Sequence, residues 1–279
     1  MTTLDAGVRK FASAPLSAKF GLVVILTYIT MALLAPHITP FGEAEIVGSQ
    51  FESWSSTYWL GTDNLGRDMF TRLVFGARNT IGIALLTTVL AFSIGMSGGL
   101  VAATFSGWLD QVLSRLVDVL MAIPQLIFAL LLVAIFGTSI PTLIIVLALL
   151  DSTRVFRITR ALAIDAAVSD YVEAARLRGE GSLWIMRSEI LPNILPILVA
   201  EFGLRFCFVF LLISGLSFLG LGIQPPTADW GSMVRDSATL IAYGDITPLL
   251  PAGAIALLSV AVNLVVDWFL HSVSGLKED

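Results

Sequence analysis

Long apolar runs recur from one end of the chain to the other, and they limit what it can fold into more than any other feature. One covers Phe20–Ala35, a second lies in the charge-free stretch Asn79–Leu109, and a third is the charge-free stretch Val119–Leu150. Two more follow, from about Ile194 to Gly215 and from about Thr247 to Leu270. A helix needs about 20 apolar residues to cross a bilayer, and a lipid-exposed backbone must satisfy its own hydrogen bonds. With 56% hydrophobic and 13% charged residues and a mean hydropathy of +0.88, the apolar surplus cannot be hidden in one soluble core of this size. The expected fold class is all-α, a polytopic membrane protein of six transmembrane helices. Six helices and their loops use up the 279 residues as one membrane domain and leave no room for a soluble catalytic domain.

The remaining composition excludes several chemistries. The single Cys207 sits inside an apolar run and rules out a disulfide framework or thiolate metal cluster within the chain. His37 and His271 are too few and too far apart to suggest a metal site, so none is expected. A formal charge of -5 argues against nucleic acid as a partner. No lysine follows a glycine, so the Gly-Lys of a nucleotide-binding loop is absent, and any ATP used would be hydrolysed by another chain.

The first run follows Arg9, Lys10 and Lys19, a pattern shared by signal peptides and uncleaved first spans. The span is preferred, because Leu33 and Ala35 with Pro36 beside them make a poor cleavage site and the rest of the chain needs an even number of crossings. Two spans do not fit between Asp118 and Asp151, which the turn-like Gly137-Thr138-Ser139-Ile140-Pro141 interrupts. The third is therefore expected to start near Val112, with Pro124 inside it, and the fourth to run on toward Arg160. That sets Asp151 and Arg154 in the membrane. Eleven Lys and Arg residues fall on the side of the termini and four on the other, so the positive-inside tendency makes both termini cytoplasmic. The expected division is a cytoplasmic segment 1–19, a membrane domain 20–270 that includes a loop 165–193, and a cytoplasmic tail 271–279.

That loop reads as a helix-turn-helix. Ser169 is a good N-cap, Asp170 and Glu173 sit in the positive first turn, Arg176 and Arg178 in the last, and Gly179 can take the left-handed terminal position. Ser182 can cap a second helix, ended by Pro192, with Leu183, Met186 and Ile190 on one face. Small Ala174 and Ala175 would let a partner surface approach, and Glu173 offers it an acceptor.

Glu173-Ala174-Ala175, then Gly179, then Leu191-Pro192 resembles the coupling loop of bacterial ABC importer permeases. Glu189 stands where that pattern usually has Ile, a shift shared by the peptide-transporter branch. Three further blocks resemble the C-type permeases of dipeptide, oligopeptide and nickel importers: Trp59 to Asp68, Gly107 to Asp118, and Leu216 to Gly231. The resemblance implies a type I importer permease fold in a bacterial or archaeal inner membrane. It implies a second homologous permease, two ATPase subunits that bind ATP and Mg, and an extracytoplasmic solute-binding protein as partners. It also implies that Glu173, Ala174, Ala175, Gly179, Leu191 and Pro192 couple the spans to the ATPases, with a short peptide as solute, or nickel, glutathione or another small solute in sister systems. A self-sufficient secondary transporter would need its own ion-coupling site and ideally an inverted repeat, and no convincing repeat is found.

Asp151 with Arg154, and Glu201 with Arg205, are i,i+3 and i,i+4 pairs inside expected spans, where an unpaired charge costs a few kcal/mol or more. They are read either as ion pairs that lock helix packing or as part of the solute path. Gly95, Gly98 and Gly99 allow close helix contact, with a partner permease or within the bundle. The Gly-, Pro-, Asp- and Trp-rich exterior blocks suit ordered turns. Asp63, Arg67, Asp68 and Trp230 are candidates there for docking the binding protein, or for sealing the outer ends of the helices.

Overall fold

The computed structural model describes residues 14–105 and 107–274. Arg9, Lys10, Lys277 and the end of the tail, 275–279, on which part of the orientation argument rests, lie outside the described residues. The order is α1 (Leu16–Ile38), α2 (Met69–Phe105), α3 (Gly107–Met121), α4 (Gln125–Phe136), α5 (Ile140–Ala167), α6 (Asp170–Leu177), α7 (Ser182–Ile185), a π-helical turn Met186–Ile190, α8 (Leu191–Phe218), α9 (Trp230–Ser237), a 3₁₀ segment Ala238–Tyr243, and α10 (Leu249–Ser274). Among the described residues there are two isolated β-bridges, Ile46 with Arg67 and Thr62 with Asp68, and no strand. The protein is an all-α polytopic membrane protein.

By length and apolarity Leu16–Ile38, Met69–Phe105, Ser182–Phe218 and Leu249–Ser272 can cross a membrane, and α3 with α4 makes a fifth candidate if the bent pair is one crossing. Among the described residues four helices, or five with the bent pair, thus meet this test, against the six expected. The expected third span is broken: α3 and α4 meet at 87°, because Pro124 takes an extended conformation (φ -53°, ψ 124°) and starts a new helix instead of kinking an old one. The fourth, α5, is long enough at 28 residues, but Asp151, Arg154, Arg157 and Arg160 along it lower its apolarity. The second begins at Met69, ten residues before the charge-free stretch, and takes in Arg72 and Arg78.

The chain divides into two compact units, residues 1–84 with 210–279, and residues 85–209, with the boundaries falling inside α2 and α8. In the first, α1 packs along α10. The small residues Ala18, Gly21 and Ala35 of α1 are buried, while Val23, Leu26, Ile29 and Leu33 are exposed. This is the inverse of a soluble amphipathic helix, as expected where the surroundings are hydrocarbon. Thr27 and Thr30 donate to the carbonyls of Val23 and Leu26 at 2.8 Å, which removes their hydroxyls from lipid.

In the second unit α2 lies against α5. A Cβ on Gly95 would stand 2.4 Å from the Ser152 carbonyl oxygen, and one on Gly99 would stand 2.7 Å from that of Phe156. The glycine face of α2 thus serves this chain's own bundle. The core runs without a break from Phe92, Val155 and Ala163 to Val172, Ala175, Ile185 and Ile190, so α6 and α7 are packed onto the helices that carry them. On α3, Trp108, Val112, Leu116 and Val119 form an exposed apolar stripe, while Asp110 turns inward to a two-pronged pair with Arg160 of α5 at 2.5 and 2.6 Å.

Candidate functional site

The α6–α7 loop is built much as its residues suggest, with three corrections. Ser169 occupies the N-cap of α6, but its side chain makes no capping bond. At the other end Gly179 adopts φ +84°, its N–H bonds to the Arg176 carbonyl (2.9 Å), and the Glu180 N–H reaches the Ala175 carbonyl (3.2 Å). That is the paired terminal bonding a left-handed glycine permits.

The second correction concerns the next helix, which starts behind Gly181 and continues through Pro192 instead of stopping there. The π turn Met186–Ile190 precedes the proline, and the Leu191 N–H bonds five residues back to Met186. The widened turn is where the missing N–H and the ring of Pro192 are accommodated. It also shifts the helical phase. A five-residue step puts Ile185 and Ile190 in the core, and Leu183, expected on that face, is exposed instead.

Third, Ala175 points inward and is fully buried, while Glu173, Ala174 and Leu177 are exposed. The surface available to a partner therefore includes Glu173, Ala174 and the Leu177 side chain, 83% exposed, but not Ala175. Arg178 reaches Glu189 at 3.4 Å, so the acid in the usual place of Ile ties the two arms of the loop.

The charges of α5 and α8 form one cluster instead of two local pairs. Arg205 holds Glu201 at 2.7 Å, as its spacing suggests, but Asp151 pairs with Arg205 (3.8 Å) and not with Arg154. Asp151 is fully buried. The Arg154 guanidinium lies over the Phe208 ring, 4.6 Å from its centroid, and Arg205 approaches the same ring at 5.4 Å. Sequence spacing finds neighbours on one helix; the partner on a facing helix and the shared ring carry no such signal. Beside the cluster a cleft of about 140 Å³ opens between the α3–α4 elbow and α5, with Gln125 and Arg154 on its wall.

In the first unit the loop before α2 and the turn before α9 form a closed polar network. Asp63 accepts from the Arg67 guanidinium at 2.7 Å and meets Arg72 at 3.2 Å, and Asp68 accepts from the Thr71 N–H at 2.7 Å. Glu43 bonds Asn79 and the Ala228 N–H. Asp229, raised in pKa by burial, caps α9 through the Ser232 N–H (2.8 Å) and accepts from Thr80 (3.0 Å). Trp230 packs between Tyr28 and Phe210 and donates to the Leu73 carbonyl at 2.8 Å. Asp63, Arg67, Asp68 and Trp230 are all buried, so the four residues named for docking hold the loop in shape and do not themselves face outward. Their exposed neighbours are Ile46, Trp54, Trp59 and Leu65.

Residues 95–274, which include the broken helix, the charge cluster and the α6–α7 loop, match the family described as binding-protein-dependent transport system inner membrane component. The chain belongs to this family. It is also 33% identical over 248 residues to the dipeptide transport system permease protein of Alkalihalophilus pseudofirmus, covering 88% of this chain and 82% of that protein. It is 36% identical over 252 residues (90% and 85%) to a putative peptide transport system permease protein of Brucella suis. With the glutathione transport system permease protein of Pectobacterium atrosepticum the identity is 31% over 261 residues, 93% and 86% of the two chains. The protein is thus an inner-membrane, multi-pass permease subunit of an ABC importer and a non-catalytic component of it. The Phe208 ring under Arg154 and the Asp110–Arg160 pair of this permease carry no signal in the residue order, because in each the two partners lie on different helices.

Proposed function

We propose that this permease forms half of the translocation path for a short peptide and couples it to separate ATPase subunits through the α6–α7 loop. The observation that carries the reading is the two-sidedness of α6. Val172 and Ala175 are part of the same core as α5 and α8, while Glu173, Ala174 and Leu177 are exposed on the opposite face. A helix rooted this way passes a push on its outer face to the spans as a rigid body. Glu173 would accept from the ATPase surface, and Gly179 and the π turn before Pro192 would keep both arms in place.

In this reading the loop faces the cytoplasm with both termini, α5 and the α3–α4 pair complete six crossings, and residues 20–270 act as the membrane domain between segments 1–19 and 271–279. The partners are a second homologous permease, two ATPases that bind ATP and Mg, and an extracytoplasmic solute-binding protein that docks over the loops held by Asp63, Arg67, Asp68 and Trp230. Peptide is favoured because relatives of similar coverage carry dipeptide and peptide in their names; glutathione, itself a small peptide, is the nearest alternative. Nickel or another small solute would be carried by the same machinery.

The test is purification of the tagged chain from its native membrane in mild detergent, with Glu173→Ala beside it. Co-purification of a second permease and of ATPases, with ATPase recovery reduced about tenfold in the variant, is the expected result. Recovery of the chain alone, under conditions that keep a known ABC complex intact, would refute the coupling role.

A further inference from the structure

The helix α3 has three faces. Leu113, Val117 and Met121 recur every fourth residue and pack with Ala102 of α2 and Phe156 of α5, and Asp110 on the same side holds Arg160. Trp108, Val112, Leu116 and Val119 form the exposed apolar stripe, with Trp108 73% and Val119 70% exposed. On the remaining side Gln111, Arg115 and Asp118, spaced four and three residues apart, are exposed as well. Apolar and polar free surfaces therefore run side by side along the whole helix. A helix that crosses a bilayer separates such surfaces by depth, with its polar groups at the ends, whereas one lying in the interface separates them around its circumference.

The 87° bend relates this pattern to the membrane. Among its 12 residues α4 carries no charge, and its Leu131, Ile135 and Phe136 are exposed. It starts at Gln125, which shares a cleft with Leu150 and Thr153 of α5, and only Gly137 to Ser139 separate its end from Ile140, where α5 begins. Its length of about 18 Å is close to the stretch of α5 from Ile140 to Leu150, about 15 Å, so the two helices are the arms of an antiparallel hairpin. With that hairpin along the membrane normal, α3 lies in the membrane plane. Its level agrees. Phe156, on which α3 packs, is about 24 Å along α5 from Ile140, close to the far boundary of a hydrocarbon layer about 30 Å thick. Beyond Phe156 α5 continues to Ala167 and the α6–α7 loop. At the start of α3 an open groove of about 590 Å³ between Val101, Phe105, Trp108 and Leu109 has the width and apolarity for an acyl chain.

We propose that α3 lies along the membrane surface on the side of the α6–α7 loop, with the Trp108–Val119 stripe in the acyl boundary of the phospholipids and Gln111, Arg115 and Asp118 among the headgroups. The stripe continues the exposed apolar surface of α4, and lipid is its occupant. Through the two-pronged Asp110–Arg160 pair, α3 then holds the loop-bearing end of α5 at a fixed depth. This takes from the reading above only that α4 and α5 cross the membrane, and it is independent of the solute.

The experiment reconstitutes the whole importer, with partner permease, ATPases and binding protein, in phosphatidylcholine vesicles. In a Cys207→Ser background a nitroxide is attached, one position at a time, at Trp108→Cys, Val112→Cys, Leu116→Cys and Val119→Cys, and on the polar side at Gln111→Cys and Arg115→Cys. Depth is read from collision with oxygen, which concentrates in the acyl region, against collision with a water-soluble nickel chelate. The four apolar positions are expected at one depth, about 5–10 Å below the headgroups, and the two polar positions open to the chelate. A crossing helix would change depth by about 16 Å from Trp108 to Val119. A gradient above about 8 Å, half that value, overturns the inference. Apolar positions closed to both reagents overturn it too, because a protein partner then covers the stripe. Where one labelled variant does not assemble, the other three apolar positions still fix the gradient. Depth is measured whether or not the vesicles take up peptide, so failed uptake defeats the peptide reading alone.

Discussion

Gly95→Ala should destabilise the permease, while Gly82→Ala on the same helix should not. A Cβ at Gly95 would stand 2.4 Å from the Ser152 carbonyl oxygen, 2.6 Å from the Val155 Cβ and 2.9 Å from the Phe156 N. All three belong to the backbone or to a branched Cβ of α5, none of which can swing away, so α2 and α5 must separate by several tenths of an ångström. At Gly82 nothing lies within 4 Å of the added atom. Both substitutions gain the same helix propensity, up to about 1 kcal/mol, and that gain cancels in the comparison. What remains is the overpacking cost of about 1–3 kcal/mol and the dispersion lost along the interface. At about 2–4 °C per kcal/mol for a chain of this size class, Gly95→Ala should unfold about 2–12 °C below Gly82→Ala. The assay is the thermal midpoint in mild detergent, read by tryptophan fluorescence. Equal midpoints, or a more stable Gly95→Ala, would refute the assignment of the glycine face to α5.

Two further outcomes are expected. Arg205→Met leaves the buried Asp151 and the half-buried Glu201 without their shared cation and should cost about 3–5 kcal/mol, part of which Arg205→Met combined with Glu201→Gln recovers; an unchanged midpoint in the single variant would show that the three charges are not a network. Asp229 carries a carboxyl whose pKa burial raises above the ordinary 3.8, so the folded state holds its proton where the unfolded state has released it. Its contribution to stability is present below 3.8 and is lost as pH rises through the raised value. Asp229→Asn should therefore lose less stability than the wild type as pH rises above 3.8, measured by the same midpoints; identical slopes would sink the claim.

Several elements were open to reading from residue order because their causes are local. The apolar runs, the φ-permissive Gly179 closing α6, and the Glu201–Arg205 pair depend on neighbours within five residues. So does the start of α5, where the Ser139 side chain accepts from the Thr142 N–H at 3.3 Å. The errors share another cause. Pro124 could kink one helix or begin the next, and Pro192 could end a helix or follow a π turn; each choice depends on what packs against the backbone there.

Membrane residence is a property of composition, since water rejects the apolar area whatever the arrangement of the helices, and amino-acid order along the chain is enough to establish it. The family blocks around Glu173 and Trp59 are likewise linear patterns. Which carboxylate Arg205 holds, that Arg154 meets a ring instead of Asp151, that Trp230 and Arg67 are buried, and that Gly95 serves α5 are pairings between segments distant in the chain. Helix rotation and contact between faces decide them, and a charge or a glycine read singly carries no record of the surface it will meet.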